Sequence, residues 1–327
     1  MDPAAAPSAG PSAAPSSGRP FRLGTRRSPL AMAQAHETRA RLCAAHGWAE
    51  DAVELVPVTA SGDRIQDRPL AEIGGKALWT RELDAWLLEG AIDAAVHSLK
   101  DVETLRPAAL TIAAVLPRED VRDVLLGAAS IAALPPGARV GTSAPRRAAQ
   151  LLHARPDLTV VGFRGNVATR IAKLAAGEVD ATLLAAAGLA RLGETGVGTP
   201  LSIDDWLPAP AQGAIGIECR TDDARARGFL AAIDHAPSRA QVMAERALLA
   251  GLGGTCHSPI AVLTTHEGGD LLMRAALLSP DGAARIERSA RFASDDLEAP
   301  ARLAALLLGE AEDAIARYFT GPESTSP

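Results

Sequence analysis

From Phe21 to about Leu192, short apolar runs alternate with segments of helical spacing, and few architectures accommodate that order. Strands are expected at Phe21–Gly24, Val53–Val58, from Ile92, and at Leu110–Leu116, Arg139–Thr142, Leu158–Val161 and Asp180–Leu184. Helices are expected between them: from Pro29, capped by Ser28 or a neighbour, to about His46, then Leu78–Leu88, Arg146–Ala154, Val167–Ala176 and Ala185–Leu192. The β-α-β-α order predicts an α/β fold, a parallel or mixed sheet with helices on both faces. The carboxyl ends of such strands open into a crevice. A dense charge run, Arg118–Asp123, interrupts the pattern before it restarts. It reads either as a solvated turn or as a crossover between two similar units.

Past a boundary at Pro208–Gln212 the pattern changes. Gly213–Cys219 is another apolar strand, and Asp222–Ala232 and Ser238–Leu252 are helices. Three strands follow, Ile260–Thr264, Leu271–Leu278 and Ala284–Phe292, with hairpin turns at Gly268-Gly269 and Pro280-Asp281-Gly282. A final helix is expected over Pro300–Phe319. The last third is thus an α+β unit, an antiparallel sheet with helices on one face. Residues 1–19, almost entirely Ala, Pro, Ser and Gly, bury too little apolar surface to offset their ordering entropy and predict a disordered tail. The polar, Gly-rich segment 59–76 reads as a long mobile loop.

Aromatics are 3% of the chain, so Ala, Leu, Val and Ile must build the cores. A net charge of −6 argues against general binding to nucleic acid or an anionic membrane surface. No apolar run approaches the roughly 20 residues of a membrane-spanning helix. Cys43, Cys219 and Cys256 are odd in number and widely spaced, which indicates neither a disulfide framework nor a zinc site. A reducing cytoplasm fits this usage, and no metal is expected.

The run Ile92–Asp101 begins as a buried strand and breaks abruptly into His97, Ser98, Lys100 and Asp101. One reading is a strand-end active site; the other is a capped helix start, with Ser98 as N-cap and Asp101 as the acidic N3 residue. Four further stretches place arginines at strand ends or helix starts beside Gly, Ser or Thr: Thr25–Ser28, Gly141–Arg147, Phe163–Arg170 and Gly188–Arg191. Glycine backbone, helix N-termini and guanidinium groups all favour a ligand carrying several carboxylates or phosphates. Only three lysines occur among 33 basic residues, and one of them is Lys100. Cys256, in a Gly-Gly-Thr loop beside His257, is a candidate nucleophile or attachment point; a small buried hydrophobe is the alternative. Dinucleotide, Walker, H-E-x-x-H and G-x-S-x-G patterns are absent.

Taken in order, these motifs resemble the porphobilinogen deaminase (hydroxymethylbilane synthase) family over about Phe21 to Phe319. They are Thr-Arg-Arg-Ser-Pro-Leu-Ala at 25–31, Gly-Gly-Lys at 74–76, Val-His-Ser-Leu-Lys-Asp at 96–101 and Arg-Glu-Asp at 118–120. Gly-Thr-Ser with Arg146-Arg147, Arg-Gly-Asn-Val-Ala-Thr-Arg at 164–170, Ala-Gln-Gly-Ala-Ile-Gly-Ile-Glu-Cys-Arg at 211–220 and the Cys256 loop complete the set. The resemblance implies two α/β lobes like those of periplasmic binding proteins plus a smaller C-terminal α+β domain. Their expected extents are 20–117 with 213–233, then 118–208, then 236–320.

The implied enzyme is a transferase of tetrapyrrole and heme biosynthesis. It joins porphobilinogen head to tail, releasing ammonia, to give hydroxymethylbilane on a dipyrromethane cofactor held by a thioether. By motif position, Cys256 carries the cofactor and Asp101 is the catalytic carboxylate. Ser28, Lys100, Asp101, Ser143, Arg146, Arg147 and Arg170 match cofactor-binding positions. Arg26, Arg164, Arg170, Arg191 and Gln212 match substrate-binding positions, and Asp63, Lys76, Trp79, His97 and Ser98 are expected as supports. The chain departs from the commonest pattern at Ala144, which removes one cofactor hydrogen bond, at Trp79, and at Gly253 and Thr255 before the cysteine. A monomer in the cytoplasm is expected, with no nucleic-acid or membrane partner. The competing reading is a two-lobed binding protein without catalysis, which needs no attachment cysteine.

Overall fold

The computed structural model describes residues 19–58, 80–255 and 258–322. The expectations for residues 1–18, for the 59–76 loop with Asp63 and Lys76, for Trp79, and for Cys256 with His257 lie outside the described residues. Arg19, the end of the expected tail, is described: its guanidinium donates to Asp93 at 3.3 Å.

Two five-stranded sheets share one plan. The first joins β1 (Phe21–Arg26), β2 (Val53–Val58), β3 (Ala94–Ser98), β4 (Leu110–Val115) and a late strand, β10 (Ile215–Arg220), in the order β2-β1-β3-β10-β4. The second joins β5 (Asp123–Leu126), β6 (Arg139–Gly141), β7 (Thr159–Val161), β8 (Ala181–Ala185) and β9 (Thr199–Pro200), in the order β7-β6-β8-β5-β9. In each, three parallel strands are followed by one antiparallel strand, β10 beside β3 and β5 beside β8. β5 and β10 are the two points where the chain passes between lobes. The α/β class and the two similar lobes follow from this strand order.

Helices fill the crossovers. In the first lobe, α1 (Pro29–His46) begins on Ser28, whose Oγ accepts the Ala31 amide at 3.4 Å, and stops at Gly47 in the left-handed region. α2 (Arg81–Leu88) packs Leu83 and Leu87 inward. In the second lobe, α3 (Pro145–Ala154), α4 (Val167–Ala175) and α5 (Ala186–Arg191) each start at a strand's carboxyl end. α6 (Ala224–Ala231) returns to the first lobe, whose core holds Leu23, Leu42, Ile217 and Leu230.

The C-terminal unit pairs β11 (Ile260–Glu267), β12 (Asp270–Leu278) and β13 (Arg285–Ala293) antiparallel. α7 (Ala236–Leu252) and α8 (Ala299–Glu310) cover it over a core of Leu248, Leu252, Val262, Met273 and Leu307. The expected final helix does not run through to Phe319. It breaks where Ala311 is extended (φ −70°, ψ 135°), and α9 (Asp313–Ala316) follows, with Ile315 and Phe319 joining the same core.

The charge run 118–123 is the crossover, and its ends are buried rather than solvated. Arg118 makes two hydrogen bonds, 2.8 and 2.9 Å, to the fully buried Glu245 of α7. The same carboxylate accepts the amides of Ala211 (2.6 Å) and Thr264 (2.9 Å). One side chain thereby joins both inter-lobe segments to the third unit. Gly213, at φ +84°, is required here, because a Cβ would lie 2.4 Å from the Glu119 carbonyl.

Candidate active site

A cavity of about 840 Å³ lies between the lobes, with residues of the third unit at its edge. Among the described residues, nine basic side chains line it against two acidic ones, Asp101 and Glu194. A second hollow of about 700 Å³, lined by Arg118–Arg122, Ile203 and Thr264, holds none of the expected site residues.

The first lobe supplies Arg26, Arg27 and Ser28 from the β1–α1 turn, and Ser98, Lys100 and Asp101 from the end of β3. The 99–101 segment is a single 3-10 turn with no side-chain cap, so the capping-box reading fails. Ser98 Oγ instead exchanges hydrogen bonds with Gln34 of α1, at 2.7 and 3.1 Å. Buried Leu99 anchors the turn and leaves Lys100 and Asp101 beside the cavity. No hydrogen bond engages the Lys100 ammonium or the Asp101 carboxylate among the described residues. Burial lowers the Lys100 pKa, opposed by the Asp101 charge and aided by Arg147.

His97 points elsewhere. It is buried behind the strand, with Nε2 3.3 Å from Glu218 of β10. Glu218 also takes two hydrogen bonds of 2.9 Å from Arg106, which reaches Asp84 and Glu103 as well. Burial would raise the Glu218 pKa, but His97 and Arg106 outweigh it and bring it down to about 2.

The second lobe supplies Ser143, Arg146, Arg147, Arg164, Arg170 and Arg191. Asp123, fully buried at the start of β5, organises two of them. Its carboxylate accepts Arg146 Nη2 (2.8 Å), Arg147 Nη2 (2.7 Å), the Trp206 indole N–H (2.8 Å) and Gln212 Nε2 (2.8 Å). Burial opposes its ionisation, yet the two guanidinium groups hold it far below the usual carboxylate range. Gln212 Oε1 is buried and has no hydrogen-bond partner among the described residues. Ser143 Oγ accepts the Phe163 amide at 3.0 Å and so shapes the turn that carries Arg164. Asn166 caps α4, and Arg170 Nε donates to the Gly165 carbonyl at 3.1 Å. Burial and the neighbouring Arg147 lower the Arg170 pKa to about 10.

Of the expected site residues within the described chain, all but His97 line this cavity. Asp123, Gln34 and Arg246 were not singled out by the sequence. Arg246, on α7, donates to the carbonyls of Glu103 (2.6 Å) and Thr104 (3.0 Å), just beyond Asp101. None of the three carries a spacing signal: each lies in a helix or charge run whose burial only the tertiary fold creates.

The donor set suits a ligand with several carboxylates and a hydrogen-bond donor. Cationic side chains converge on the cavity, and the orphaned Gln212 oxygen can accept a hydrogen bond. Residues 21–228 match the family model described as porphobilinogen deaminase, dipyromethane cofactor binding domain, and 240–309 match its C-terminal domain. A Sphingopyxis alaskensis porphobilinogen deaminase is 58% identical over 92% of this chain and 96% of its own. The Paracoccus denitrificans protein of that name is 54% identical over 80% and 85%. The chloroplastic protein of Pisum sativum is 50% identical over 82% and 75%.

Proposed function

Because the chain belongs to the porphobilinogen deaminase family, we propose how its cleft residues divide the work of converting porphobilinogen into hydroxymethylbilane. The observation that carries the proposal is the Asp101 carboxylate, which no hydrogen bond engages among the described residues, beside a cavity lined with cations.

A dipyrromethane cofactor, when bound, supplies the pyrrole end to which substrate units are added. We assign its thioether to Cys256, and its carboxylates to Ser28, Lys100, Ser143, Arg146, Arg147 and Arg170. Thr255 and Ser258, which flank Cys256 and His257 in sequence, line the cavity, which supports a tether reaching the cleft from the third unit. The acetate and propionate arms of an incoming porphobilinogen are assigned to Arg26, Arg164, Arg170 and Arg191, with Gln212 as an acceptor. Guanidinium groups fit this task because their planar donors pair with carboxylates in two-point contacts.

The Asp101 carboxylate accepts the substrate's pyrrole N–H and stabilises the positive charge that grows as ammonia leaves. It then takes up a proton as the new bond forms and the ring regains aromaticity. Lys100, whose pKa burial lowers, holds a ligand carboxylate beside Asp101. Ser98 is a support, fixed by Gln34, and His97 supports β3 from behind. The same reading divides the chain into 20–117 with 213–233, 118–208 and 236–320. It has the protein act as a monomer in the cytoplasm, without nucleic acid or membrane. No helix among the described residues is long and apolar enough to cross a membrane.

Intact-mass measurement of the denatured protein tests the tether. The wild type is expected to exceed its sequence mass by one dipyrromethane, and Cys256→Ser to lack the increment. Asp101→Asn is expected to keep the adduct and the folded state while ammonia release from porphobilinogen nearly stops. An unmodified wild-type mass rejects the tether, and near-normal turnover in Asp101→Asn removes Asp101 from its role.

A further inference from the structure

Arg191 sits on α5 in the second lobe, yet its guanidinium is held by the first lobe and by the inter-lobe segment. Its Nε donates to Glu37 Oε2 on α1 at 3.4 Å, and its Nη2 donates to the Gly213 carbonyl at 3.1 Å. In a guanidinium, Nε–H and one Nη2–H project from the same side. Glu37 therefore sits at the side-on edge, and Nη1, which has no hydrogen bond among the described residues, leaves the end-on edge formed by Nη1 and Nη2 able to take a further partner. That edge presents the parallel pair of donors that a carboxylate takes in two-point contact.

Glu37 is suited to this task by its position. Its other oxygen, Oε1, accepts Arg41 Nε one helical turn on, at 3.1 Å, so each oxygen has a separate partner. The Glu37 side chain is 30% exposed, whereas that of Arg191 is 9% exposed. The carboxylate thus meets the arginine at the rim of the cleft and sets its orientation from outside the ligand's space. The contact bridges lobes where α1 and α5 are close: a Cβ at Gly188 would come within 3.6 Å of Leu30.

We propose that Glu37 is a positioning residue for substrate binding, holding the side-on edge of Arg191 so that its end-on edge is presented to a carboxylate arm of porphobilinogen. This rests on the assignment of Arg191 to the incoming substrate. Glu37 acts through the arginine and touches no reacting atom, so its loss acts on substrate affinity and leaves the chemical step alone.

The test compares steady-state kinetics of the full-length holoenzyme for Glu37→Ala, Glu37→Gln, Arg191→Gln and the Glu37→Ala/Arg191→Gln double variant. Glu37→Ala is expected to raise KM for porphobilinogen roughly two- to five-fold, within the range for a partly exposed charged contact, with kcat unchanged. Glu37→Gln keeps an oxygen able to accept Nε–H and is expected to recover most of the affinity. In the double variant the Glu37 change adds nothing further, because the two act as one unit. If Arg191→Gln raises KM and Glu37→Ala does not, the positioning role is rejected while Arg191 keeps its assignment. If Arg191→Gln leaves KM unchanged, that assignment fails and the proposal fails with it. Additive effects, or a fall in kcat with the melting temperature of Glu37→Ala, also overturn it.

Discussion

Asp123 shows how one buried charge fixes several others. Arg146 and Arg147 are adjacent in sequence and would repel each other in a buried helix start; the carboxylate 23 positions earlier neutralises and orients both. Removing it strands two guanidinium groups with almost no access to water. Asp123→Ala is therefore expected to destabilise the protein by about 3–5 kcal/mol. Denaturant unfolding measures this, and a loss under about 1 kcal/mol would mean that water reaches the pair. At this scale the sequence is half legible. The arginine pair stands out at the start of a helix, but nothing in Arg-Glu-Asp-Val-Arg-Asp separates the exposed Arg122–Asp120 pair from the buried Asp123. Burial of a charge is decided by residues far away along the chain. The same holds for Glu37, which looks like an ordinary partner of Arg41 on a helix surface.

Among elements, the hairpin at 280–282 illustrates the difference between a turn and its docking. Pro280-Asp281-Gly282 reads plainly as a turn, and Gly282 has φ +72°. What the sequence does not disclose is that the turn presses on α3. A Cβ at Gly282 would lie 2.4 Å from the His153 amide nitrogen and 2.7 Å from the Ala149 carbonyl, and His153 Nδ1 is 2.9 Å from the Gly282 carbonyl. The third unit thus rests on the helix that carries Arg146 and Arg147. Gly282→Ala is expected to cost about 1–3 kcal/mol and to speed amide exchange in both α3 and the β12–β13 turn. Faster exchange in the turn alone would show that the two elements are not coupled. Short strands were the weak point of the sequence. β5 is four residues long and begins with a charge, and β9 is two residues long, so neither offers a period to read. Longer elements such as α1, with Pro29 and Ser28 at its start and Gly47 past its end, were plain.

For the whole molecule, the alternation of strands and helices pointed to two similar α/β units; the apolar run at 213–219 read as a strand, but its return to the first sheet was implied only by the family resemblance. The docking of three units through Glu245 was not legible, because hydrogen bonds from an amide, a distant arginine and another strand leave no local pattern. Buried carboxylates also set the acid limit of the assembly. Glu218 titrates at about 2 in the folded protein, against about 4.3 for a free glutamate. Folding favours its ionised form, so its contribution is whole above about pH 4.3 and disappears as pH falls toward about 2. Asp123 is depressed in the same direction.

The Asp123 cluster also makes the protein its own optical reporter. The indole N–H of Trp206, 4% exposed, is bonded to the carboxylate that orients Arg146 and Arg147. Its emission should therefore hold steady through mild acid and shift only below about pH 3.9, the ordinary aspartate value, where the ionised Asp123 begins to lose its advantage. Subtracting the spectrum of Trp206→Phe isolates that signal, and a shift beginning near neutrality would exclude the carboxylates as its cause. A chain poor in aromatics has thus placed one fluorophore in direct contact with the carboxylate that orients two of the cations lining its cleft.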